Sequence, residues 1–145
     1  MLTSAFEDEI ARFKTTKACA LASPDPPCSL AEVKAFEEAH GFCLPSEYIE
    51  VATRLGTGEV GFANVFSVGA GHNSISSQRN GAPELPSNFI PVSDNGCGDF
   101  YGFVVHGGRC GSEVYFADHE SEFEVSRTEF ADLYEYLVRH GFNAA

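Results

Sequence analysis

The chain contains no tryptophan and a single methionine, so its large apolar side chains come chiefly from 13 phenylalanines and the aliphatic residues. Basic residues are also scarce: 9 Lys and Arg stand against 21 Asp and Glu, a formal net charge of −12. A surface that anionic repels phosphate backbones and acidic lipid headgroups, which argues against direct nucleic-acid or membrane-surface binding. It favours basic partners, and it equally serves to keep a protein soluble. Long apolar runs are missing. No stretch approaches the roughly 20 apolar residues of a membrane span, and MLTSAFEDEIARFK lacks the apolar core of a secretory signal. Cysteine is present but unpatterned: there are five, at positions 19, 28, 43, 97 and 110, with no C-x-x-C. An odd, unspaced set argues against a disulfide framework or a structural zinc site, and for reduced thiols in a cytoplasmic protein.

What is present suits one globular domain. A chain of 145 residues that is 43% apolar can bury a core without cross-links. Ser4-Ala5-Phe6-Glu7 has capping-box spacing and predicts a helix from about Ala5 to Lys14, with Phe6, Ile10 and Phe13 on one face. Residues 18–28, ACALASPDPPC, read as a Pro-rich linker. Ser29 and Glu32 form a second capping box ahead of Leu30, Val33, Phe36 and Ala39, and Gly41 supplies the stop. Leu44-Pro45 opens a third helix whose stripe is Tyr48, Val51, Ala52 and Leu55, ended by Gly56.

Beyond Glu59 the period changes. EVGFANVFSV reads as one strand or a bent pair, and residues 69–88 as a long loop with one short helical turn near Ile75. Strands are predicted at Phe89–Ser93, Phe100–His106 and Glu113–Ala117, with a short edge strand at Phe123–Val125. Ser126 to Glu129 has the last capping-box spacing, before a helix lined by Phe130, Leu133, Tyr134, Leu137 and Val138. Helices, then antiparallel strands, then a helix predict an α+β fold: an antiparallel or mixed sheet of about four to six strands with helices packed on one face.

The stretch PVSDNGCGDFYGFVV (residues 91–105) carries the sharpest question of chemistry. A nucleophilic Cys97 would need a base and an electropositive setting, whereas Asp94 and Asp99 flank it and disfavour the thiolate. Asn95-Gly96 followed by Gly98 reads instead as a tight turn. Asp94, Asn95 and Asp99 lack the alternating oxygen ligands of a calcium loop. His106, Cys110, Asp118 and His119 are of types that suit zinc but have no recognised spacing. Gly69-Ala70-Gly71 lacks the remaining glycine and lysine of a phosphate loop. Asp118-His119-Glu120 reads as acid–base machinery or as a solvated turn, and the turn is the simpler reading.

Taken together these segments resemble the SUKH superfamily, in particular its SMI/KNR-like, toxin-immunity branch. The resemblance rests on Gly41, Leu44, Pro45, Tyr48 and Gly56, on the turn Gly96, Gly98 and Asp99, and on the strand Val114-Tyr115 that ends in Asp118, His119 and Glu120. It covers about residues 29–139. It departs where the family often has Trp before the Asp-His pair and this chain has Ala117.

The resemblance implies a single globular domain, with residues 1–28 as an N-terminal helix and linker packed on a SUKH-like domain at 29–145. It implies a non-catalytic protein without cofactor or metal: an immunity protein that neutralises the C-terminal domain of a cognate secreted toxin. On charge, a nuclease is the expected target. The alternative is a regulatory or scaffold domain with a housekeeping partner. Residues 113–124, EVYFADHESEFE, hold five carboxylates and no Lys or Arg. The expected partner-binding residues are Asp94, Asp99, Tyr101, Asp118, His119, Glu120, Glu122 and Glu124.

Overall fold

The computed structural model describes residues 3–15 and 24–142; the first part of the Pro-rich linker, with Cys19, lies outside the described residues. The first helix, α1 (Ser4–Phe13), starts one residue earlier than the sequence pattern suggests, because Thr3 and not Ser4 is the cap: its hydroxyl accepts from the Phe6 N–H at 3.2 Å. Phe6 and Phe13 then reach Tyr134, Phe142 and Phe62 with ring centroids 4.6 to 6.3 Å apart. Helix α2 (Leu30–His40) has the predicted reciprocal capping box between Ser29 and Glu32, and Gly41 closes it in the left-handed conformation. Helix α3 (Ser46–Glu50) follows Pro45 at its cap and widens into a π-turn at Val51–Leu55.

Eight strands follow the order of a meander: β1 (Pro24–Asp25), β2 (Thr57–Val60), β3 (Ala63–Val65), β4 (Phe89–Asp94), β5 (Phe100–His106), β7 (Tyr115–Asp118) and β8 (Glu124–Arg127), with β6 (Arg109–Cys110) hairpinned onto the end of β5. Every pairing between these strands is antiparallel. The class is α+β with an antiparallel sheet, as the sequence pattern implies. The strand count is higher than expected because β1 and β6 are two-residue pairings too short to carry any periodicity.

Between β3 and β4 lies α4 (Ile75–Gly81), longer than the single turn expected there and capped by the Ser74 hydroxyl, which accepts from Ser77 N–H. The last helix corrects another expectation. Ser126 is not a cap, because it lies on β8 opposite Phe116. The helix α5 (Leu133–Tyr136), which runs on as a π-turn at Leu137–Gly141, begins instead at Asp132, whose carboxylate accepts from the Glu135 N–H at 2.9 Å.

Alternation along β5 sets the two faces of the sheet. Tyr101 packs on Tyr136 and Phe103 on Tyr48, so α5 and α3 share one face. Phe100 points the other way, onto Phe66 and Phe123. Residues 89–93 of β4 are all buried, which covers both sides of the sheet at its centre. Gly102 lies opposite Pro91 beside a bulge, and no other residue fits there, since a Cβ would run into the carbonyl oxygen of Ile90. Tyr48 is fully buried, and its hydroxyl donates to the Phe66 carbonyl at 2.6 Å.

Candidate functional site: an acidic rim at one end of the sheet

The register brings three turns to the same end of the sheet. Val60 pairs with Ala63, Asn64 with Asp94, Asp94 with Phe100, Phe100 with Ala117, and Asp118 with Glu124. The β2–β3 turn (61–62), the β4–β5 turn (95–99) and the β7–β8 turn (119–123) therefore emerge side by side. The sheet's opposite end carries the long connections that contain α4 and β6.

The β4–β5 turn closes on itself. The Asn95 side-chain carbonyl accepts from the Cys97 N–H at 2.9 Å and the Asp99 N–H at 3.3 Å, while its amide donates to Asp99 Oδ2 at 2.8 Å. The other oxygen of Asp99 reaches across to β7. It accepts from the His119 N–H at 2.9 Å and lies 2.5 Å from His119 Nδ1. These bonds hold the Asp99 carboxyl down to about 2, with the Asn95 amide the largest cause and the His119 ring the next. The same bond raises His119 above its ordinary value, with Asp99 the largest cause. Gly98 has φ +98°, and a Cβ there would sit 3.2 Å from His119 Nδ1, so the glycine both makes the turn and leaves room for the imidazole.

Asp118 organises the neighbouring turn. Its carboxylate accepts from the Glu120 N–H at 3.0 Å and from the Ser121 hydroxyl at 3.3 Å, and its carbonyl accepts from the Phe123 N–H at 2.8 Å. The chain reverses through two non-glycine residues in the left-handed region, Glu122 (φ 56°) and Phe123 (φ 58°). Each costs about 1–2 kcal/mol of backbone energy. Packing of the Phe123 ring on Phe100, 5.9 Å away, offsets part of it.

The sequence-predicted residues thus divide by what they touch. Asp99, Asp118 and His119 come together, and their side chains are engaged with the two turns. The exposed carboxylates of Glu120, Glu122 and Glu124 make no hydrogen bond or ion pair among the described residues. Asp94 lies only 3.4 Å from the Asn64 amide and opens onto a cleft of about 450 Å³ lined also by Phe62, Asn95, Tyr136 and His140. Tyr101 sits apart from the turns, on the sheet face, against Phe116, Tyr136 and His140.

Cys97 is exposed and lends its backbone N–H to the turn, as expected of an architectural position. His119 Nδ1 is committed to Asp99, and its Nε2 meets no hydroxyl or thiol among the described residues, so the pair lacks the nucleophile of a triad. The mixed zinc set weighed from sequence does not assemble. His106 and Cys110 sit at the far end of β5 and on β6, away from Asp118 and His119. Asp99, Asp118 and His119 have ligand atoms within 4.8 Å of one another, but these atoms already bond to each other or to the turn backbone.

One residue at this end escaped the sequence reading. Phe62 is 63% exposed at the tip of the β2–β3 turn, within a segment whose pattern reads as one strand or a bent pair; the pair forms, and Phe62 is not among the expected contact residues. The available signal was Gly61, which splits EVGFANV into a two-residue hairpin. Among the described residues, Cys28, Cys43, Cys97 and Cys110 are free, and no helix is long and apolar enough to cross a membrane. No curated protein and no solved structure gives a significant match to the chain. The comparison with protein families does: the SMI1 / KNR4 family (SUKH-1) matches residues 27–138, most of the chain, and the chain therefore belongs to that family.

Proposed function

We propose that this protein is an immunity protein that binds and neutralises the C-terminal domain of a cognate secreted toxin, a nuclease by its charge, inside the cytoplasm of the cell that makes both. The family includes immunity proteins and is in general non-catalytic. The observation that carries the reading is the acidic rim with an aromatic at its edge. Asp94 lines a cleft with the exposed Phe62, and Glu120, Glu122 and Glu124 stand at the β7–β8 turn of the same end of the sheet.

A nuclease cleft is basic because it must hold phosphates. Carboxylates on a rigid rim can take the place of those phosphates, accelerate encounter and select the partner. Asp99, Asp118 and His119 act by fixing the tips that carry the outer carboxylates. Phe62 supplies the desolvated anchor that affinity requires, and a Lys or Arg of the partner entering the cleft beside Asp94 meets a carboxylate and an aromatic ring together. A standard interface of about 1,600 Å² is enough to seal an active site.

The test is calorimetric titration of the protein with the purified C-terminal domain of the secreted protein encoded in the adjacent reading frame. Binding should weaken steeply with salt. Glu120→Lys combined with Glu122→Lys should slow association, and Phe62→Ala should cost about 2 kcal/mol or more. If no complex forms and cells expressing that domain are not rescued, the immunity reading fails and a regulatory scaffold takes its place.

A further inference from the structure

Away from the acidic rim, the connection that carries α4 builds a cavity of opposite character. Its volume is about 470 Å³, and it lies between the end of α2 and α4, lined by His40, Ser76, Arg79, Asn80 and, from the turn that follows, Ala82, Pro83 and Leu85 to Ser87, with Glu84 not in the lining. The walls are fixed by hydrogen bonds. Ile75 is fully buried and donates its N–H to the Ser67 carbonyl at 2.9 Å, and the Ser74 hydroxyl both caps α4 and donates to the Gly71 carbonyl at 2.6 Å. On the facing wall, His40 Nδ1 donates to the Phe36 carbonyl at 2.9 Å, and the ring stacks on Phe36 at 4.1 Å. Its Nε2 is thereby turned towards Ser76, 3.3 Å from the hydroxyl.

Arg79 is the decisive group. One guanidinium nitrogen donates to the Ser87 carbonyl at 3.1 Å, which holds the side chain across the cavity. A guanidinium has five N–H donors in a planar fork matched to an oxyanion. No carboxylate meets this one among the described residues, in a chain where acids outnumber bases 21 to 9. The one carboxylate of the adjoining trough, Glu32, is turned back into the capping box with Ser29 at 3.1 Å. The Asn80 amide adds a further donor beside Arg79, while the Ser76 hydroxyl donates to His40 Nε2, 3.3 Å away. Leu85 and Pro86 give an apolar floor, and a separate trough lined by Phe36, Ala39 and Val68 shares His40, Ser76 and Asn80 as its wall.

We propose that this cavity binds a monocarboxylate carried on a short apolar body, its oxygens on Arg79 and its apolar part over Leu85 and Pro86. A net charge of −12 disfavours dianions such as phosphate more than a single carboxylate. The carboxylate has two sources, a free organic acid or the C-terminus of a polypeptide, and they share this chemistry. The site is independent of the immunity reading and stands or falls separately.

The experiment is a titration of the isotopically labelled full chain, followed by amide and histidine-ring chemical shifts, with four probes: hexanoate, the neutral isostere hexanamide, inorganic phosphate and an N-acetylated Leu-Leu dipeptide with a free C-terminus. Hexanoate should shift Ser76, Arg79, Asn80 and the His40 ring saturably, and hexanamide should not. Arg79→Gln, checked for an unchanged melting curve, should weaken hexanoate binding about tenfold, with Arg79→Lys between the two. Tighter binding of the dipeptide assigns the site to a polypeptide end, and tighter binding of hexanoate to a free acid. Equal shifts with hexanoate and hexanamide on the unaltered chain, no saturation, or preferential binding of phosphate would overturn the proposal.

Discussion

At the scale of single residues, the Asp99–His119 pair decides how the rim is held. Asp99 is lowered to about 2, chiefly by the Asn95 amide of its own turn, and His119 is raised, chiefly by its bond to Asp99 between the two turns. The sign of the linkage follows. The Asp99 contribution is present above the ordinary carboxylate value and is lost as pH falls through about 2. The His119 contribution is fully present below the ordinary imidazole value and is lost as pH rises through its raised midpoint. The pair is at full strength between those two ordinary values, in mildly acidic solution. Asp99→Asn should lower the His119 midpoint, read from its ring protons in a titration, and should speed hydrogen exchange at the His119 amide. An unchanged midpoint would remove Asp99 from this role. Half of the arrangement was legible beforehand: Asn95-Gly96 and Gly98 announce a turn by backbone chemistry alone. The other half was not, because His119 is 20 positions further along and meets Asp99 only once β5 and β7 pair in register.

At the scale of elements, local signals were reliable where nothing competed with them. Ser29 and Glu32 cap α2 as their spacing demands, since no strand recruits these residues. Ser126 and Glu129 have the same spacing and make no cap, because β7 recruits residues 124–127 as a strand and tertiary pairing overrides the local preference. The working cap, Asp132, is recognisable only with hindsight from Glu135 three residues on. Asp132→Ala should therefore cost about 1 kcal/mol of stability in urea unfolding, whereas Ser126→Ala should stay within about 0.5 kcal/mol. The reverse order would restore the earlier start of α5. Helix α4 was foreseen only as one turn for a related reason. ISSQRNG is poor in strong helix formers, and burial of Ile75 together with the Ser74 cap holds it.

At the scale of the whole molecule, the α+β class followed from the order of periods along the chain, and the missing strands were those too short to have a period. Charge is the other global property. Three side-chain ion pairs of the helices, Arg12 with Glu9, Arg54 with Glu50 and Arg139 with Glu135, are largely exposed neighbours within a helical segment and contribute little; in a fourth, Lys34 with Glu37, the carboxylate is buried and also accepts from the Leu44 N–H. Self-repulsion from a net charge of −12 outweighs them. Raising ionic strength from about 0.01 M to 0.15 M shortens the screening length from about 30 to 8 Å, so the melting temperature should rise with salt. A fall on adding salt would show that the ion pairs dominate. The meander has a final consequence. Its hydrogen-bonded ladder is fixed by residues well inside the strands, while what a neighbour would grip is carried on three short tips at one margin. Under the proposed function, foldability and specificity answer to different residues, so that editing the tips would re-aim this molecule without its relearning how to fold.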